Sequence, residues 1–213
     1  MRILAMSDIH SRFEKFDPAK LPAADVIVIA GDITELGCRR PWEIERATWW
    51  MQQLGLSTPV LWIPGNHDFG LHPLSFPWTG AKSIDQMASR PREGWPSFYG
   101  VNMSPCYNMP QIASMWRDMT TRPEVEQAAF ERIPLGTDVI VSHCPPFGVL
   151  DMAADGSHIG SQALLDKIHE IKPKLVICGH VHEAAGKALV GGTWVYNVAC
   201  GWAVIDTDRL KGE

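Results

Sequence analysis

Short apolar runs recur along the chain, each stopped by polar residues or glycine. Ile3 to Met6, Val26 to Ala30, Val60 to Ile63, Val139 to Val141 and Leu175 to Cys178 are rich in branched side chains, which predicts strands buried on both faces. Between them Ala47, Trp50, Met51 and Leu54 recur at helical spacing, as do Leu164, Leu165, Ile168 and Ile171. Thr121-Arg122-Pro123-Glu124 reads as a capping box with an early proline, opening a third helix that runs to about Arg132. Further on, Thr193 to Asn197 and Ala203 to Ile205 predict two more strands, with Gly191-Gly192 as a hairpin turn. Strand and helix alternate, so the class is α/β.

From Phe69 to about Pro110 the pattern breaks. This stretch is dense in Pro, Gly, Trp and Met without a sustained period, which predicts a loop-rich insertion at about 69–110 within a single domain spanning 1–213. It is a candidate substrate cover, although its aromatics Phe76, Trp78, Trp95, Phe98 and Tyr99 fit better a satellite core under a long loop. Neither an internal repeat nor a low-complexity tract is visible.

Composition narrows the functional classes. With 46% hydrophobic and 20% charged residues the chain has the make-up of a soluble globular protein. No apolar run approaches the roughly 20 residues of a membrane span, and Asp8 falls where a signal peptide keeps its apolar stretch. The expectation is a cytoplasmic protein without a membrane partner. The 5 cysteines are scattered without a C-x-x-C spacing, which predicts reduced thiols and no thiolate zinc site. A net charge of -5 with dispersed basic residues argues against extended nucleic-acid binding. Charge alone leaves room for a small phosphate substrate, since metal ions can supply the positive counterpart.

The informative residues stand where predicted strands run out: Asp8 and His10, Asp32, Asn66 with His67 and Asp68, His143, and His180 with His182. In open α/β sheets ligands bind beyond the carboxyl ends of strands, so these ends can build one site. A lone Asp there is usually a turn former or helix cap, and a lone His a satisfied core or surface residue. Gathered together they form a nitrogen and oxygen donor set too large for one tetrahedral ion and suited to two ions sharing a carboxylate. Imidazole, carboxylate and carboxamide without thiolate favour manganese, with iron or zinc as alternatives. Cys144 and Cys178 adjoin these positions but read as small packing residues.

The ordered blocks D-x-H, GD, GNHD, H and GHxH, spanning residues 8 to 182, resemble the signature of the calcineurin-like metallophosphoesterase superfamily. Ser142-His143-Cys144-Pro145-Pro146-Phe147-Gly148, with the later Gly179-His180-Val181-His182-Glu183, is similar to its small phosphodiesterase-like metallophosphoesterase-domain members. The resemblance implies a four-layer α/β/β/α sandwich of two mixed sheets. It implies that Asp8, His10 and His182 bind one metal, that Asn66, His143 and His180 bind the other, and that Asp32 bridges them. His67 would face the substrate as general acid with Asp68 orienting it, while Glu35, three residues past Asp32, acquires no metal role. The implied reaction is hydrolysis of a small, nucleotide-like phosphodiester by a hydroxide shared between two divalent ions. A phosphomonoesterase, a nuclease of the same superfamily and a catalytically silent metal-binding regulatory domain are the alternatives. Oligomeric state is not legible, and neither are the places of Arg12, Phe147 and His158.

Overall fold

The computed structural model describes residues 1–76, 79–105 and 120–210. In chain order the strands are β1 (Arg2–Met6), β2 (Val26–Ala30), β3 (Val60–Ile63), β4 (Ala81–Ser83), β5 (Ala88–Ser89), β6 (Phe98–Val101), β7 (Ser104–Pro105), β8 (Thr120–Thr121), β9 (Val139–Ser142), β10 (Leu175–Cys178), β11 (Gly186–Val190), β12 (Thr193–Asn197) and β13 (Trp202–Asp206). The helices are α1 (Pro41–Gly55), α2 (Pro123–Glu131) and α3 (Gln162–Ile171). One sheet runs β13-β1-β2-β3-β4 and the other β11-β12-β10-β9-β6-β5, with β7 and β8 a separate parallel pair. Interior neighbours are parallel, whereas the edges β13, β11 and β5 pair antiparallel, so both sheets are mixed.

Alternation along a strand sends successive side chains to opposite faces. In β1, Ile3 and Ala5 therefore meet Val141, Leu175 and Ile177 of the second sheet, while Leu4 and Met6 meet Trp50, Met51 and Leu54 of α1. The second sheet repeats the scheme, with Val139 and Val141 turned inward and Ile140 packed with Phe130 of α2 and Leu164 and Ile168 of α3. Three apolar seams thus separate four layers, α/β/β/α, as the family resemblance implies.

The apolar runs mark their strands closely, and the predicted face of α1 (Ala47, Trp50, Met51, Leu54) is buried throughout. On α3 the apolar face is narrower than predicted: Leu164 and Ile168 are buried, but Leu165 and Ile171 are only half-buried. The helix opens on Ser161, whose hydroxyl accepts from the Leu164 amide. In α2 the proline start is found and the capping box is not, because Arg122 occupies the N-cap without a side-chain bond.

The 69–110 stretch contributes more sheet than its composition suggests. It supplies β4 to one sheet and β5 and β6 to the other. Strands of two to four residues are too short to show a two-residue period among Pro and Gly. Its aromatics enter the main seams instead of a satellite core: Phe76 stacks edge-on to Trp62 at 5.0 Å, Phe98 lies between the sheets, and Tyr99 joins the α2 side. Trp95 packs against the inter-sheet seam, and Trp78 lies outside the described residues. Among the described residues no helix is long and apolar enough to cross a membrane.

Gly100 of β6 lies against Ile63 of β3, across the two sheets, and a Cβ there would stand 2.5 Å from Ile63 Cγ2 and 2.7 Å from the Ile84 carbonyl oxygen. Gly100→Ala should therefore overpack the seam, at a cost of about 1–3 kcal/mol. Urea unfolding is expected to show a lowered midpoint with an unchanged slope.

Candidate metal centre

The residues that follow β1, β2, β3, β9 and β10 meet across both sheets. Backbone bonds run from the first turn to the second, with Asp8 N donating to Gly31 O at 3.1 Å and His10 N to Asp32 O at 2.9 Å. Four of the predicted ligands sit in the left-handed region: Asp8 (φ 56), His10 (φ 49), Asp32 (φ 52) and His180 (φ 69). Non-glycine residues adopt that conformation rarely, and such strain gathers at functional sites. Gly31, itself at φ 99, and Gly65 leave the room that these turns need. A Cβ on Gly31 would stand 2.5 Å from His143 Nδ1, and one on Gly65 would stand 2.2 Å from Asp32 Oδ1.

Two groups of donor atoms result. In one, His182 Nε2 lies 3.0 Å from Asp8 Oδ1 and 3.4 Å from His10 Nε2. In the other, Asn66 Oδ1 lies 2.9 Å from His143 Nε2 and 2.8 Å from His180 Nδ1. Asp32 Oδ2 stands between them, 3.7 Å from His10 Nε2 and 3.3 Å from His143 Nε2. All seven predicted ligands are thereby brought together. Asp8–His10–His182, Asp8–Asp32–His143 and His10–Asp32–His67 each present ligand atoms within 4.8 Å of one another. The last triplet shows that His67, expected on the substrate side, is also within reach of this cluster.

The electrostatics follow from burial. Asp8 and Asp32 are 0% and 2% exposed, and burial would raise both carboxyls. Contacts with His10 and His182 outweigh that for Asp8, and the charge and hydrogen bond of His143 do so for Asp32, so both are held below the usual carboxylate range. Burial works against a charged His143 too, but Asp32 prevails and lifts it to about 9. His180, buried and beside charged His143, is driven down to about 4 and stays neutral.

The donor set fits divalent cations. His143 Nδ1 bonds the Ala30 carbonyl at 2.8 Å, which fixes its proton there and turns Nε2 toward Asn66 Oδ1. A neutral His143 would set two acceptors face to face, and either a second proton or a cation removes that conflict.

Around this core the arrangement departs from expectation at Asp68. Its buried oxygens accept from Ile33 N, Thr34 N, Thr34 Oγ1 and Gly65 N at 2.8–3.1 Å, so it ties together the turns after β2 and β3. The ring of His67 is held instead by the Glu35 carbonyl, 3.0 Å from Nδ1. Sequence reasoning passed over Glu35, whose position three residues past Asp32 was the available signal. Cys144 and Cys178 are buried with their thiols on the carbonyls of Ile159 and Tyr196, as packing residues would be. Arg12 reaches the Asp8 carbonyl at 3.3 Å through Nη2. Phe147 and His158 pair their rings at 5.7 Å, and His158 Nδ1 bonds buried Asp151 at 2.6 Å.

Protons and cations should therefore compete at His143. Its folded-state value lies above the ordinary 6.5, so in metal-free protein its stabilising contribution is complete below about 6.5 and lost as pH rises through about 9. Thermal unfolding across that window should show the decline, and His143→Asn should flatten it. Calorimetry of manganese binding near neutral pH, repeated in buffers of different ionisation enthalpy, should register proton release in the wild type.

The sequence pattern described as calcineurin-like phosphoesterase matches residues 1–184. Human metallophosphoesterase domain-containing protein 1 is 27% identical over 229 residues, covering 92% of this chain and 64% of that protein. A UPF0046 protein of Caenorhabditis elegans is 26% identical, covering 86% of this chain and 52% of its own length. The chain thus spans less than two thirds of these relatives. A solved structure aligns over 98% of this chain and 95% of its own with a TM-score of 0.70 at 19% identity, which shows the shared fold. The sequence match over residues 1–184 places this chain in the calcineurin-like phosphoesterase family.

Proposed function

We propose that this chain, as a metal-dependent phosphoesterase, hydrolyses a phosphodiester of a small, nucleotide-like kind. Asp8, His10 and His182 would hold one divalent ion, Asn66, His143 and His180 the other, and Asp32 both. The observation that carries this reading is the placing of Asp32 Oδ2 between His10 Nε2 and His143 Nε2, at 3.7 and 3.3 Å. Manganese is favoured by the nitrogen and oxygen donors, with iron or zinc as alternatives. When bound, such a pair supplies positive charge to phosphoryl oxygens and lowers the pKa of water.

The remaining work falls to the chain's own residues. His67 is 21% exposed at the rim, and its Nδ1 proton is directed to the Glu35 carbonyl. That fixes the ring's direction, and His67 acts as the general acid that hands a proton to the departing oxygen. Asp68 supports it indirectly by fixing the turns on either side. Arg12 adds a cation behind Asp8. The second organic group of a diester needs a surface to rest on, and the exposed pair Phe147 and His158 offers one. Their loop is tied to the ligand loop by Asn197 Nδ2, which donates to both the Leu150 and the Val181 carbonyl oxygens. The free, buried thiols of Cys144 and Cys178 suit a reducing compartment such as the cytoplasm.

Protein reconstituted with manganese should hold about two ions per chain and cleave an aryl phosphodiester with a higher kcat/KM than the matching monoester. A content of one ion or fewer at saturation would remove the shared-carboxylate reading, and the reverse substrate order would place the chain among the phosphatases. His67→Ala should keep its metals and lose about 10²- to 10⁴-fold on alkyl or nucleoside esters, but far less on a nitrophenyl ester whose phenolate leaves unaided. An equal loss across a graded series of leaving groups would show that His67 binds phosphoryl oxygens and donates no proton.

A further inference from the structure

Glu35 was assigned nothing by the sequence, yet it touches both the His10 and the His67 side chains. Its carboxylate Oε2 lies 3.1 Å from His10 Nδ1, and Oε1 lies 3.6 Å from His67 Nδ1. Its main-chain carbonyl takes His67 Nδ1 at 3.0 Å. The residue is itself clamped, since its amide donates to Ser11 Oγ at 3.3 Å and to Glu43 Oε2 at 3.0 Å. Glu43 is fully buried in α1, holds the Leu36 amide at 2.8 Å with the same oxygen, and meets Arg40 with the other. A buried helix carboxylate thus fixes the backbone from which the Glu35 side chain extends.

His10 Nδ1 needs such a partner. The atom is buried, and among the described residues it has no aligned hydrogen bond. The Glu35 carboxylate is within bonding distance but off line, and its side chain, 43% exposed, has the freedom to turn into line. A carboxylate there keeps the imidazole proton on Nδ1 and turns the Nε2 lone pair toward Asp8, Asp32 and His182. Metal-binding histidines commonly have such an outer partner, which sets both tautomer and ring direction.

We propose that Glu35 is the positioning residue for His10, orienting one half of the dinuclear site from outside the ligand set. The proposal rests on the dinuclear reading above. The carboxylate stands closer to His10 Nδ1, at 3.1 Å, than to His67 Nδ1, at 3.6 Å, and the main-chain carbonyl that holds His67 at 3.0 Å survives any side-chain substitution.

The test follows stepwise manganese(II) binding by electron paramagnetic resonance in wild type, Glu35→Ala and Glu35→Gln. It is paired with thermal unfolding of the metal-free proteins. Glu35→Ala should weaken one of the two binding constants by about 10- to 100-fold, leave the other in place and keep the unfolding temperature. Glu35→Gln, whose amide oxygen still accepts from Nδ1, should retain most of the affinity. Two unchanged constants in Glu35→Ala would overturn the proposal, as would an equal loss at both ions accompanied by a lower unfolding temperature. Wild-type protein that binds fewer than two ions overturns the dinuclear reading and this proposal with it. A wild type with two ions beside an unaffected Glu35→Ala overturns only the role of Glu35.

Discussion

Asp8 and Asp32 end neighbouring parallel strands, and both carboxylates are shut away from water. Two like charges placed so close in a low-dielectric setting repel strongly, and each also forfeits several kcal/mol of hydration unless it is answered locally. The surroundings supply that answer. His10, His143 and His182 crowd the oxygens, and the amides of His67 and His180 donate to Asp32 and Asp8 at 2.8 and 3.0 Å. The raised pKa values of His10 and His143 let imidazolium protons do this in metal-free protein, and the same place would suit divalent ions. The strained turns at Asp8, His10, Asp32 and His180 persist because this electrostatic arrangement and the strands behind it over-determine them.

The layers beneath explain why the arrangement is stiff. Each main sheet is packed on both faces, so the strands carrying the site have little freedom to shift without disturbing two apolar seams at once. Further out, stiffness comes from carboxylates used as ties. Asp68 joins the turns after β2 and β3, Glu43 grips the Glu35–Leu36 amides, and Asp151 gathers Gly148 N, Gly160 N and His158. Each ties main-chain donors that strand geometry leaves without partners.

The sequence disclosed the strands and the ligand candidates by one and the same signal. A branched apolar run followed at once by Asp, Asn or His is visible in one dimension, because the strand end and the side chain are adjacent in the chain. What it hid was tertiary. Nothing next to Asp68 tells that its oxygens reach back to Ile33 and Thr34, so the neighbour His67 looked like its natural partner. Glu35 was overlooked for the same reason, since its contacts run to His10 and His67. The short strands β4 to β6 were obscured by their length and by surrounding Pro and Gly. The Phe76, Phe98 and Tyr99 side chains belong to three different seams, a sorting that only the sheet order fixes.

The glycines that frame the cluster act as a steric veto on its redesign. A methyl group on Gly31 meets His143, one on Gly65 meets Asp32, and one on Gly179 meets Ser7 Oγ and Asp8 Oδ2 at 2.1 and 2.2 Å. A mutational library aimed at these three positions would thus be emptied by collision before any chemistry was sampled. Variation has to enter from the open side, through positions such as 147 and 158, where added bulk meets solvent. The inner shell is frozen by the absence of side chains, and diversity is confined to the rim.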